Sequence, residues 1–290
     1  MPSPRAINRR IKSVRNISQV TRAMEMVAAA KMRRAQQATL SSRAYAEKSW
    51  EMLTYLASQP GRSKLLHPLL EERTQVQNIL LIVITADRGL CGAYNMNIMR
   101  TALDFAKQQN KPVRYVTIGR RGNSLVSRLG KEIIANFDGL SERPAIMDIG
   151  PISKIAIDEF RLGRADEVYV AFTDFQNVLK QHPKVNRLLP IKPAKEKSQG
   201  ASAVYIYEPN PETILDSVLP RFTELQMYQT LLESVASEWA SRMVAMRNAT
   251  DSAKDLISEL TLAMNKARQA GITKEMLEIV SGAEAQRKTK

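Results

Sequence analysis

From Leu215 to Ala267 two interleaved columns of residues spaced seven apart run along the chain. One holds Leu215, Phe222, Gln229, Ala236, Met243, Thr250, Ile257 and Met264; the other holds Val218, Leu225, Leu232, Trp239, Met246, Ala253, Leu260 and Ala267. Only Gln229 and Thr250 are not apolar. Alternating steps of three and four sustained over this distance predict a helix packed along a coiled-coil seam. The stretch from Pro211 to Arg268 reads as one uninterrupted helix, about 85 Å long at roughly 1.5 Å per residue.

A second long helix is predicted at the other end of the chain. Pro4 to about Ala57 has no Gly and no internal Pro and is dense in Ala, Arg, Met and Gln. These are good helix formers, and the helix would be about 80 Å long. Its apolar residues recur at Ile7, Ile11, Val14, Ile17, Val20, Met24 and Val27. Small residues such as Ala28, Ala35 and Ser42 also fall at facing positions. Opposite Trp239, Met243 and Met246 they would let two backbones approach closely. The expected arrangement is an antiparallel coiled coil of N- and C-terminal helices with a globular insert: helix 1–57, linker 58–76, α/β domain 77–208, helix 209–290.

Between the helices the period changes. Asn78 to Thr85, Val113 to Ile118, Glu132 to Phe137 and Glu167 to Phe175 read as strands, alternating with helices over Tyr94 to Gln109, Asn123 to Leu129 and Ile152 to Phe160. That alternation predicts a mainly parallel, Rossmann-like sheet. Val185 to Ile191 and Ala203 to Tyr207 read as edge strands around a polar loop, Lys195 to Gly200. Asn210 and Pro211 then suit the N-cap and first position of the last helix.

Charge narrows the range of partners. The chain carries a net +14. Residues 1 to 50 hold eleven Lys and Arg against Glu25 and Glu47, a net +9, whereas residues 211 to 290 are close to neutral at −1. The basic N-terminal helix suits nucleic acid, an anionic membrane surface, an acidic protein or plain solvation. Tyr45 and Trp50 are too few aromatics for a base-stacking platform. The longest uncharged apolar run, Thr74 to Ala86, is too short to span a bilayer, and the basic N-terminus leads into an amphipathic helix rather than a signal peptide.

Catalytic constellations are hard to assemble. Strand, acidic residue, Gly-containing turn and helix follow one another in Ile84-Thr85-Ala86-Asp87-Arg88-Gly89-Leu90-Cys91-Gly92-Ala93, as at phosphate sites of α/β folds. The spacing matches neither the dinucleotide fingerprint nor the P-loop, and Gly119-Arg120-Arg121-Gly122 is weaker still. Tight-turn glycines and Asp87 as a turn or capping residue explain the segment. A magnesium ion shared by Asp87 and Asp174 is the functional alternative. His67 and His182 each precede a proline in predicted loops, and Cys91 is the only cysteine, so no usual zinc set exists. No cofactor is expected.

The residues also resemble a known family. Arg22-Ala23-Met24-Glu25-Met26-Val27-Ala28-Ala29-Ala30-Lys31-Met32, the Asp87-Arg88-Gly89-Leu90-Cys91-Gly92 turn, Ala236-Ser237-Glu238-Trp239-Ala240-Ser241-Arg242-Met243-Val244-Ala245-Met246 and the ending from Ala267 to Ala283 are similar to the gamma subunit of the rotary, F-type ATP synthase. The likeness covers essentially the whole chain. It implies a central rotor stalk whose paired helices pass up a ring of catalytic (beta) and noncatalytic (alpha) subunits. The α/β domain would bind the membrane rotor c-ring and the epsilon subunit, so that ion flow turns the shaft. The chain would be a noncatalytic part of the complex, peripheral on the cytoplasmic face of a bacterial inner membrane. A basic coiled-coil nucleic-acid-binding protein is the alternative from another class, and a nucleotide-binding enzyme using the Asp87 turn the third.

Carried over residue by residue, the resemblance implies that Arg268 and Gln269 form a polar pair facing a catalytic-subunit loop. Thr273, Glu275 and Glu278 match nearby coupling positions, and Met24 and Arg242 match the region where torque is passed on. Arg10, Lys12, Lys31, Arg33 and Arg34 would face acidic loops. Two departures stand out: Ala93 replaces a frequent Gly, and Gly271 lies where the helix should run on. One Gly costs only about 1 kcal/mol, so a continuous or slightly bent helix is expected. The chain lacks the cysteine-bearing insertion of chloroplast members, which favours a bacterial origin.

Overall fold

The structure is a computed structural model that describes residues 3–58, 67–140, 144–191 and 211–288. The expected strand Ala203 to Tyr207, the loop Lys195 to Gly200 and the cap at Asn210 lie outside the described residues, as do the side chains of Tyr45 and Trp50. Elements follow in the order α1 (Pro4–Ser58), β1 (Ile79–Ile84), α2 (Tyr94–Gln108), β2 (Val113–Ile118), α3 (Arg120–Arg128), β3 (Ile133–Phe137), α4 (Ile146–Arg161), β4 (Glu167–Phe175), β5 (Gln181–Leu189) and α5 (Pro211–Lys288). A short 3-10 turn at Pro68–Leu70 lies within the expected linker. The chain clusters into two compact units, Ala28–Arg242 and the combination of Met1–Val27 with Met243–Lys290.

In the larger unit the five strands lie in the order β3-β2-β1-β4-β5. All neighbours are parallel except β4 and β5. The Rossmann-like expectation therefore holds, with an antiparallel edge strand added. All six residues of β1 are buried, as a central parallel strand covered on both faces requires. Alternation sorts them: Leu80, Ile82 and Ile84 join a core with α4 and the start of α5, whereas Leu81 and Val83 pack with Ile98, Met99 and Ala102 of α2 and Val126 of α3.

Some boundaries moved. α4 begins at Ile146 rather than Ile152, with Pro151 inside it. The Asp148 carboxylate accepts a 2.8 Å hydrogen bond from the Ala145 N–H, capping the new start. β5 begins at Gln181, so His182 stands on an edge strand opposite Asp174, not in a loop. The edge tolerates Pro183, which has no N–H to give a second neighbour. His67 does precede a turn: its Nδ1 accepts from the Leu69 N–H at 3.1 Å, and its Nε2 lies 3.1 Å from Asp216 of α5. Burial lowers its pKa, with Asp216 opposing that shift.

α5 contains Pro220, where an uninterrupted run was expected. The missing N–H leaves the Asp216 carbonyl without its usual donor, yet the helix continues. It also continues through Gly271, as the sequence anticipates, and a Cβ there would meet no atom within 4 Å. Every member of both heptad columns from Leu215 to Ala267 is buried or half-buried.

The seam of α1 differs from the apolar reading after its first two turns. Ile7, Ile11 and Val14 are buried, but Ile17, Val20 and Val27 are 53%, 59% and 51% exposed. Buried or half-buried residues continue instead at Ser18, Thr21, Ala28, Met32, Ala35, Thr39 and Ser42. The seam keeps one heptad phase from Ile7 through Val14, Thr21, Ala28 and Ala35 to Ser42, and Ile17, Val20 and Val27 each lie one residue off it. Small and hydroxyl side chains, several of them anticipated, fill this face because the α5 columns supply the bulk.

Candidate functional site

In an open α/β sheet, ligands bind outside the carboxyl ends of the strands where the strand order reverses. Here that point lies between β1 and β4, and α5 fills it. Ser234, Ser237 and Ser241, spaced three and four apart, place three hydroxyls on one helix face. Ser237 Oγ donates to the Thr173 carbonyl at 3.0 Å, and Ser241 Oγ donates to the Cys91 carbonyl at 2.8 Å. Ser234 Oγ lies 2.8 Å from the buried Tyr94 hydroxyl, which also donates to the Ser234 carbonyl at 3.2 Å. Burial pushes the Tyr94 phenol well above its ordinary pKa, so it serves as a neutral hydrogen-bonding pin.

Arg242 completes this clasp. It is 5% exposed; Nη1 contacts Glu238 at 2.6 Å, and Nη2 donates to the Arg88 and Gly89 carbonyls at 3.4 Å. Its guanidinium and the Lys31 ammonium each lie 4.6 Å from the Trp239 ring centroid. Two cations over one indole join α1, α5 and the Asp87 turn.

The turn itself is built for packing. Asp87 accepts from the Arg120 N–H and the Gly139 N–H, both at 3.0 Å, so its carboxylate occupies the amino end of α3, where a phosphate would sit. Gly119 has φ +94°, and a Cβ on it would stand 2.2 Å from the Thr85 carbonyl. Thr85 Oγ1 accepts from the Gly122 N–H at 2.8 Å. Asp174 pairs with Lys184 at 3.2 Å. No group of three His, Cys, Asp or Glu suited to a metal occurs among the described residues. The Cys91 thiol is buried, which raises its pKa.

The other sequence-designated residues lie elsewhere on the helices. Arg268, Gln269, Thr273, Glu275 and Glu278 are all exposed on α5, and Met24 is half-buried on α1. Glu278 approaches Lys274 at 3.6 Å, a solvated pair of little energetic weight. Arg10, Lys12, Arg33 and Arg34 are exposed, while Lys31 is half-buried against Trp239. The structure thus gathers Lys31 and Arg242 at Trp239 and leaves the 268–278 group open to solvent. Tyr94 and Ser234 were not singled out from the sequence. Their signal was the serine stripe running beside the apolar columns.

A family model described as ATP synthase matches residues 3–286. Curated ATP synthase gamma chains are similar over 98% of this chain and 99% of their own length. That of Dehalococcoides mccartyi strain CBDB1 is 48% identical and that of Chloroflexus aurantiacus strain J-10-fl 45%. The chain belongs to the ATP synthase gamma-chain family. A chain from the Tetrahymena thermophila mitochondrial ATP synthase central stalk and c-ring superposes with a TM-score of 0.62 at 25% identity, covering 79% of this chain and 99% of that one. One from the Euglena gracilis mitochondrial ATP synthase in rotational state 3 reaches 0.66 at 18% identity, covering 98% and 94%, a likeness of fold alone. The nucleic-acid reading finds no support in these relatives.

Proposed function

We propose that this chain is the central rotor stalk of an F-type ATP synthase, coupling ion flow through a membrane rotor ring to ATP synthesis or hydrolysis on the catalytic subunits. It is a noncatalytic subunit. The observation that carries the reading is the filled switch point: the crevice where an α/β enzyme would bind a nucleotide holds Ser234, Ser237, Ser241 and Arg242 of the chain's own helix. Work is then done by contacts that differ among rotary states, a coupling free energy rather than a chemical step.

Its partners are the alpha and beta subunits of the head, the epsilon subunit and the c-ring. Arg268 and Gln269 meet a catalytic-subunit loop, with Thr273, Glu275, Glu278 and Met24 at neighbouring coupling positions. Arg242 acts from inside the clasp, holding the shaft to the turn after β1. The exposed basic residues Arg10, Lys12, Arg33 and Arg34 exchange acidic partners at small cost, since exposed ion pairs are weak. Exposed Ile17, Val20 and Val27 add an apolar strip that presents no ion pair to a moving partner. No described helix is long and apolar enough to cross a membrane; the chain associates peripherally with the membrane complex, on the cytoplasmic face of a bacterial inner membrane.

Mixing the purified chain with catalytic and noncatalytic subunits tests this. A stoichiometric complex with ATPase activity is expected, and failure to assemble would sink the stalk reading.

A further inference from the structure

Two polar residues, Gln229 and Thr250, break the apolar columns of α5, and each meets a polar residue of α1. Thr250 Oγ1 donates to the Met246 carbonyl at 2.9 Å and lies 2.8 Å from Thr21 Oγ1. Thr21 Oγ1 likewise has a carbonyl of its own helix, that of Ser18, at 3.1 Å, so either hydroxyl can donate across the seam. Ser42 Oγ donates to Gln229 Oε1 at 2.5 Å, while Gln229 Nε2 is held by Glu233 Oε1 at 3.0 Å, which fixes the amide's orientation. Ser42 Oγ also bonds the Thr39 carbonyl of its own helix at 3.1 Å, and the buried hydroxyls of Thr39 and Thr223 bond the Ala35 and Leu219 carbonyls in the same way.

Spacing gives these pairs a joint meaning. Thr21 and Ser42 are three heptads apart on α1, and Gln229 and Thr250 are three heptads apart on α5. One pair belongs to each compact unit. The face of α1 between them is unselective, since Ala28, Ala35 and Thr39 would accept many bulky partners. An apolar seam of this kind is nearly as well satisfied one heptad out of place. Two polar pairs are not, because a one-heptad slip in either direction leaves the buried Thr250 and the half-buried Thr21 and Ser42 opposite apolar residues.

We propose that Thr21–Thr250 and Ser42–Gln229 are register locks: they fix the one axial alignment in which α1 and α5 pack, and so prevent the shaft's two helices from sliding past each other under load. Buried polar pairs are known to fix coiled-coil register at a cost in stability. Such a pair identifies itself by an inverted signature, in which apolar replacement preserves or raises stability while register is lost.

The experiment uses the full chain with Cys91→Ala and paired cysteine reporters oxidised by copper phenanthroline. Counting one heptad outward from Thr21 and Thr250 puts Val14 opposite Ile257, so Val14→Cys with Ile257→Cys reports correct alignment. Val14→Cys with Met264→Cys, and Ile7→Cys with Ile257→Cys, report a one-heptad slip in either direction. In the chain with both locks intact only the first pair should cross-link. The quadruple variant Thr21→Val, Thr250→Val, Ser42→Ala, Gln229→Leu should melt no lower than its parent and raise out-of-register cross-linking at least about fivefold.

Two further variants keep the test decisive if the quadruple variant misfolds. Each variant lacking a single pair keeps one lock, and should show a smaller rise than the quadruple variant. A lower melting temperature with out-of-register cross-linking at background in these variants would overturn the proposal and make the pairs ordinary stabilising hydrogen bonds. In the assembled complex, slip should appear as fewer ions pumped per ATP hydrolysed. That second readout rests on the stalk reading and the cross-linking does not, so failure of one is distinguishable from failure of the other.

Discussion

At the carboxyl ends of β1 and β4, Tyr94, Ser234, Ser237, Ser241 and Arg242 direct their polar atoms at other parts of the chain, whereas Arg268, Gln269, Thr273, Glu275 and Glu278 of the same final helix stand exposed. The first group occupies the place where an α/β protein does chemistry and does none. The second occupies a bare helix surface. A polar side chain satisfied internally contributes to stability and shape; one left in water is available to a partner. In this chain the α/β unit serves as a grip on α5, and the proposed function assigns the coupling contacts to the solvated stretch.

That contrast predicts large stability effects at the grip and very small ones at the exposed stretch. Gly119→Ala should be the most damaging change. It forces a side chain onto a backbone at φ +94° and against the Thr85 carbonyl, and should cost more than about 3 kcal/mol by denaturant unfolding. Arg242→Ala removes one partner of a largely buried pair and should cost about 3 kcal/mol. A loss below about 1 kcal/mol would mean that the clasp does not hold α5.

Asp166→Asn comes next. Burial works to raise the Asp166 pKa, but the Asn78 and Gln77 N–H groups and Arg73 outweigh it and the net shift is downward. A carboxylate with a depressed folded pKa contributes stability above its unfolded value, near 4, and loses it as pH falls through the folded value. The variant should lose about 2 kcal/mol at pH 7 and approach the parent's stability at low pH. A pH-independent difference would contradict that origin. Tyr94→Phe keeps the packing and removes one hydroxyl, so a loss of about 1 kcal/mol is expected from thermal or denaturant melts.

How far the sequence foretold this depends on the kind of signal. The α5 columns, the order of strands and helices and the absence of a nucleotide fingerprint were all legible, because each is a local pattern. The α1 seam was not fully legible. Ile17, Val20 and Val27 look like core and are exposed, since hydrophobicity marks a seam only where the helix itself supplies the bulk. Thr21 and Ser42 acquire meaning only opposite Thr250 and Gln229, more than 180 residues away in the chain. Arg242 illustrates a different limit. Its motif marks it out, but only the folded turn at Arg88 and Gly89 shows that its side chain points inward.

The smallest stability effect accompanies the most direct functional test. Arg268→Ala with Gln269→Ala should leave the subunit's unfolding curve within about 0.5 kcal/mol of the parent, as surface substitutions do. Reconstituted with the catalytic and noncatalytic subunits and the membrane sector in vesicles, the same variant should synthesise ATP about tenfold more slowly, a loss of roughly 1.4 kcal/mol in coupling. An unchanged rate of synthesis with a normally assembled complex would contradict the claim that the exposed stretch of α5 carries the coupling contacts.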